Sequence, residues 1–401
     1  MTVPAQRARR RPSVPGRMLP LLLVTALLAP VAFLFVQASR LTDDDRDLAT
    51  RERLGVQYLR ALGPVTEALI DAQSAAVNGQ PLSRDSLTTA VEGAASVDAR
   101  VGDELRSHER WAGLRAKLEA LPDRSLTDPE AAYLAYGEVT DLLLALHRKV
   151  RESSGLIRDP RSDSFFLQDG IAGDLPEAMV AAGRLADLAT LAARRPAAER
   201  VRSLTELAAV RVAALGPATD LVADLRAAVD SSESTDLGPS VLTPLDTYQR
   251  AVETLAALSA PADRTGATSA EPGQLGAARR NAQAAAKQLQ SVILDELDTL
   301  LGERIDGLDR DRWQAVAATA TAVVLLVLLA AVLIAAFRRA RRRATEEVRA
   351  EEGPQILPEP DRWQPPLQRR TPQHTAEARS LQPAAATRGG ETEPWGPFDA
   401  R

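Results

Sequence analysis

Apolar and polar positions along this chain follow three patterns: two long apolar blocks, a series of helical stripes between them, and a tail without periodicity. The second block, Trp313–Phe337 (WQAVAATATAVVLLVLLAAVLIAAF), has no charged residue, and Arg338, Arg339, Arg341, Arg342 and Arg343 follow it. As a helix it would be ~37 Å long, enough to cross a hydrocarbon core of ~30 Å with some tilt. An arginine cluster beside such a span marks the cytoplasmic side. The first block, Met18–Ser39, is also uncharged and follows a basic segment, residues 1–17. Two readings compete for it. A signal peptide with a cleavage site at Val36-Gln37-Ala38 is one, but the length of the run favours an uncleaved first span.

Between the blocks, apolar residues recur at spacings of three, four and seven, the signature of amphipathic helices. Leu41, Leu48, Tyr58, Leu62, Val65 and Leu69 predict a helix over 41–78, with a bend at Pro64. After Asn78-Gly79-Gln80-Pro81 the stripe resumes at Leu87 and predicts one helix over 83–121. Thr127-Asp128-Pro129-Glu130 is a start signal, with a capping side chain and a proline in the first turn. The third helix then runs to Leu156, and a fourth covers 160–193 with a bend at Pro176. A fifth spans 197–229 and a sixth 242–258. Residues 260–273, rich in Pro, Gly, Ser and Thr, read as a loop. A last long helix starts at Gln274 and reaches the second block without a proline. No stretch alternates as a strand would.

The expected fold is therefore all-α: residues 40–312 form a long antiparallel helical bundle between transmembrane helices at 18–39 and 313–337. One arrangement that fits is two four-helix modules stacked end to end and sharing the terminal helices. Residues 338–401 form a cytoplasmic tail, basic at first and then proline-rich, with the composition of a disordered segment.

Composition narrows the chemistry. The absence of cysteine rules out disulfides, thiol catalysis and cysteine-ligated metals. Residues 1–18 carry +5 and residues 338–401 carry +2, so the formal −5 leaves −12 for the segment between, which argues against nucleic acid as a partner. His108, His147 and His374 stand apart from one another, and His147 reads as a surface or boundary residue. No phosphate-binding loop, dinucleotide fingerprint or nucleophile elbow occurs. The sequence predicts no enzyme, no cofactor and no metal. The acidic run at Asp43–Asp47 reads as a solvated helix face, because no calcium-loop spacing follows it.

At Ser153–Leu185 (SSGLIRDPRSDSFFLQDGIAGDLPEAMVAAGRL) the chain resembles the extracytoplasmic helical sensor domains of bacterial methyl-accepting chemotaxis receptors and sensor histidine kinases. The residues that carry the resemblance are Ser154, Leu156, Asp159, Pro160, Asp163, Ser164, Phe165, Phe166, Asp169, Leu175 and Pro176. Glu52-Arg53-Leu54-Gly55 with Tyr58 adds a second piece. The resemblance implies a receptor in the plasma membrane of a bacterium, with Arg158, Asp159, Asp163, Phe165, Phe166 and Asp169 as candidate ligand contacts. Association through the bundle, with itself or with another chain, is expected with it. Such receptors continue into a HAMP linker and an output module, and neither follows here. The resemblance therefore implies a separate cytoplasmic signalling partner reached through the tail. The alternative is a membrane scaffold whose bundle binds another envelope protein and senses nothing.

Overall fold

The computed structural model describes residues 19–81, 83–121, 127–158, 162–232, 234–260 and 271–351. Among the described residues every regular element is helical. They are α1 (Leu19–Asn78), α2 (Arg84–Val101), α3 (His108–Ala120), α4 (Pro129–Ser154), α5 (Ser162–Asp169), α6 (Leu175–Arg194), α7 (Arg200–Ser231), α8 (Leu237–Leu258) and α9 (Pro272–Glu351). Contacts divide the chain into a unit that ends at Ala336 and another that begins at Phe337. In the second unit, 337–351 are helical and rich in arginine.

Local signals set several of these boundaries. Asp128 accepts the Ala131 backbone N–H at 3.0 Å and Pro129 occupies the first turn, so α4 starts where the sequence placed it. Gly155 ends α4 with φ +90°, a left-handed conformation that favours glycine. Elsewhere the structure departs from the stripe. The helix expected over 83–121 breaks into α2 and α3, with Arg106 at φ +50° between them. A buried carboxylate holds the joint: Asp98 accepts Tyr58 O–H at 2.7 Å and meets His108 Nδ1 at 2.7 Å. Val101, Leu105, Trp111 and Leu114 stay buried on both sides of the break. That is why the apolar spacing alone gave no sign of it.

The helix expected over 160–193 is also interrupted. Gly170–Asp174 form a π-helical turn, and the Leu175 N–H reaches back to the Gly170 carbonyl. Pro176 follows at once. It has no N–H for the ordinary ladder, and its ring would crowd the carbonyl four residues earlier, so the backbone widens just ahead of it.

One hydrophobic cluster draws buried residues from all nine helices, among them Leu59, Leu62 and Leu69 of α1 and Leu289, Ile293 and Leu297 of α9. Each such fully buried side chain contributes about 1.5–3 kcal/mol. A smaller cluster joins α6, α7, α8 and the first turns of α9 through Leu185, Leu188, Leu207, Leu255 and Leu275.

Two helices, α1 and α9, are long and apolar enough to cross a membrane, and no residue in their most apolar windows is buried. Phe33, Leu34, Leu325, Val327 and Val332 are all more than half exposed.

Candidate ligand site

Where the two longest helices meet, charge fixes their register. Asp43 pairs with Arg312 at 3.3 Å, Arg46 with Asp309 at 2.7 Å and Arg53 with Asp298 at 2.7 Å. Further along, Arg60 meets Asp295 at 2.7 Å, Glu67 meets Lys287 at 2.9 Å and Asp71 meets Arg279 at 2.8 Å. Numbers rise in α1 as they fall in α9. Apart from Arg279 these groups all reach solvent, so each pair contributes little alone and their joint effect is to favour one register.

Just past the last of these pairs, α1, α6 and α9 enclose a cavity of about 660 Å³. Its wall includes Asp71, Ser74 and Asn78 from α1, Asp187, Thr190 and Arg194 from α6, and Gly276, Arg279 and Arg280 from α9. Gln80, Pro81, Ser83 and Ser86 line it from the turn after α1 and the start of α2.

Three guanidinium groups face this space, each held differently. Arg279 is nearly buried, and its Nη1 donates to Asp71 at 2.8 Å and to Gln283 at 2.8 Å. Arg194 reaches across from α6 to the end of α1, donating to the Val77 carbonyl at 2.9 Å and to Asn78 Oδ1 at 3.0 Å. It thereby places a cation on the Val77 carbonyl, which has no partner within its own helix. Arg280 is exposed and lies over Gly276, where a Cβ would come 3.5 Å from its Nη1.

Opposite them, Asp187 is buried. It accepts Ser74 O–H at 2.6 Å and a Gln73 side-chain N–H at 2.9 Å. Burial pushes its carboxyl up to about 6, while the two hydrogen bonds and Arg279 pull the other way. The cavity is thus a polar site with a cationic wall and a carboxyl that titrates near neutrality.

The residues singled out by the sequence occupy a different place. Arg158 is exposed and its N–H closes the turn onto the Gly155 carbonyl at 2.8 Å. Phe165 and Phe166 are half-buried, stacked edge to face at 5.5 Å, and Phe166 packs on the main core. Asp169 accepts from Arg151 of α4 at 2.7 Å. Asp159 and the side chain of Asp163 lie outside the described residues. The structure therefore brings Asp169 to a charged partner, Phe166 to the core and Arg158 to solvent. The cavity between α1, α6 and α9 is lined by other residues, and so is a groove of about 660 Å³ between α4, α6 and α7.

Beside Asp169 the π turn carries a carboxyl under stress. Asp174 is pushed up to about 7, by burial first and then by Asp224, Asp169 and Asp220. Among the described residues no cluster of His, Cys, Asp and Glu has the form of a metal site. His147 is a correction to the sequence reading: it is buried, 3.3 Å from Thr66 Oγ, and burial pushes its imidazole down to about 4.

Sequence reasoning missed Asp187, Arg194, Arg279 and Arg280. Asp187 left one usable signal, an acid inside the apolar run Leu185-Ala186-Asp187-Leu188-Ala189 on the buried side of its helix. No protein-family model, curated protein or solved structure matches the chain significantly. The site therefore rests on this chain's own geometry.

Proposed function

We propose that this chain is a two-span bacterial membrane receptor whose outer helical domain, residues 40–312, senses a signal and relays it to a separate cytoplasmic partner. One observation carries the reading. The ion pairs between α1 and α9 end at Asp43–Arg312, and the exposed apolar segments of both helices begin just beyond that point. Both segments then leave the domain from the same end, as an antiparallel pair entering one membrane would. Arginines at Arg338–Arg343 and in residues 1–17 favour the cytoplasmic side for both flanks by the positive-inside rule.

The relay needs no catalytic residue in this chain. Helix α9 has no proline from Gln274 to Ala336, so its hydrogen-bond ladder continues from the cavity to the apolar segment. A ligand moves such a helix only if it binds two arrangements unequally, and the difference in affinity sets the limit of the coupling. Small sliding or rotation at packed helix faces is the motion available.

Reporter fusions after Arg17, at Ser234 and after Glu352 test the reading and should report inside, outside and inside. A mature amino terminus at Ser39, or the same side for all three, overturns it. A chain with this topology that responds to no ligand would be the scaffold instead.

A further inference from the structure

We propose that the cavity between α1, α6 and α9 is a binding site for a small organic carboxylate, held by Arg279 and Arg280. This rests on the receptor reading and supplies its ligand class.

A space of about 660 Å³ suits a small metabolite. Its charge selects the sign. Three guanidiniums face two acids, and Arg279 already spends part of its charge on Asp71. Asp71 sits at the rim with its side chain 55% exposed, whereas that of Arg279 is 9% exposed. A carboxylate entering the cavity therefore meets an oriented, largely desolvated cation whose present partner can swing out to water. Guanidinium and carboxylate match as bidentate partners, which favours carboxylate over a spherical anion. Asp187 is held on its own side of the cavity by Ser74 and Gln73, so a carboxylate ligand is directed to the opposite wall, where Arg279 and Arg280 stand. Ser83, Ser86 and Thr190 add neutral hydrogen-bonding groups on the remaining walls. The cationic wall is split between α6 and α9, so an occupant bridging them biases how those helices sit against each other.

The test uses the full chain in lipid nanodiscs, with thermal unfolding followed against sodium succinate, glutamate and citrate. Sodium chloride at matched ionic strength, glycerol and putrescine are the controls. At least one carboxylate should raise the unfolding midpoint saturably, as binding to the native state requires, and the controls should not. Arg280→Gln, at an exposed position, should weaken that binding at least tenfold, and Arg279→Gln should weaken it further. Arg100→Gln, exposed on α2, should leave it unchanged. The proposal is overturned if no carboxylate acts, if putrescine acts saturably, or if Arg280→Gln and Arg279→Gln bind normally. Loss of binding in Arg100→Gln would overturn it too, because general attraction would then explain the effect. If binding fails while the fusions still report inside, outside and inside, only the ligand class is wrong.

Discussion

Gly55 of α1 and Ser154 of α4 pack so closely that a Cβ on Gly55 would stand 2.5 Å from Ser154 Oγ and 2.6 Å from its Cβ. Leu156 Cδ1 would be 3.0 Å away. On the same joint, a Cβ on Gly155 would meet Leu48 Cδ1 at 2.6 Å. Two stretches about a hundred residues apart in the sequence, Glu52–Gly55 and Ser154–Leu156, thus meet as a helix-packing joint.

Gly55→Ala should therefore lower the unfolding midpoint of the full chain in nanodiscs, at a cost of about 1–3 kcal/mol for overpacking. Ser154→Gly in the same chain should restore part of the loss. An unchanged midpoint for Gly55→Ala would mean that the two helices have room to separate.

The register between α1 and α9 can be read by cross-linking, since the chain has no cysteine of its own. Cysteine pairs at Arg46 with Asp309, Arg53 with Asp298 and Arg60 with Asp295 should each be joined by a short bifunctional thiol reagent. The mismatched pair Arg46 with Asp295 is offset by ~21 Å along the helix and should not be joined. Efficient linking of the mismatched pair would show that the helices slide freely.

Asp187 predicts a pH dependence with a definite sign. Its native carboxyl titrates at about 6 against an ordinary value of 3.8, so the folded chain holds its proton more tightly than the unfolded one. Stability from this group falls as pH rises from 3.8 to about 6 and stays level above, a change of about 3 kcal/mol in all. Asp187→Asn should remove that slope in denaturant titrations across this window. Gln73 can turn its amide to accept from the new N–H group. A slope that persists in the variant would assign it to another group.

His147 acts in the opposite direction. Its native imidazole titrates at about 4 rather than 6.5 because burial disfavours the charged form. Its stabilising effect is complete above pH 6.5 and is lost as pH falls through 4, again about 3 kcal/mol. In His147→Leu the acid loss should shrink by that amount. Thr66 keeps a partner in the variant, since its hydroxyl also donates to the Leu62 carbonyl at 3.1 Å. Equal acid sensitivity in both chains would mean that His147 is not the group being protonated.

Helical periodicity and the two apolar segments can be read from the chain alone, because period and apolar length are local properties of consecutive residues. Asp128-Pro129 and the stripe through Tyr58, Leu62, Val65 and Leu69 were legible for that reason. What depends on which faces meet is set by the packed fold. It broke the helix at 102–107, because Tyr58, forty residues earlier, supplies a partner to Asp98. It buried His147, because α4 turns that side toward Thr66 of α1. It also gathered Arg194, Arg279 and Arg280 at the end of α1, although these positions lie more than a hundred residues along the chain from Asp71. Chain order carries no signal of such a meeting, because the energy that produces it comes from packing apolar faces elsewhere and the charged groups arrive with the helices that bear them.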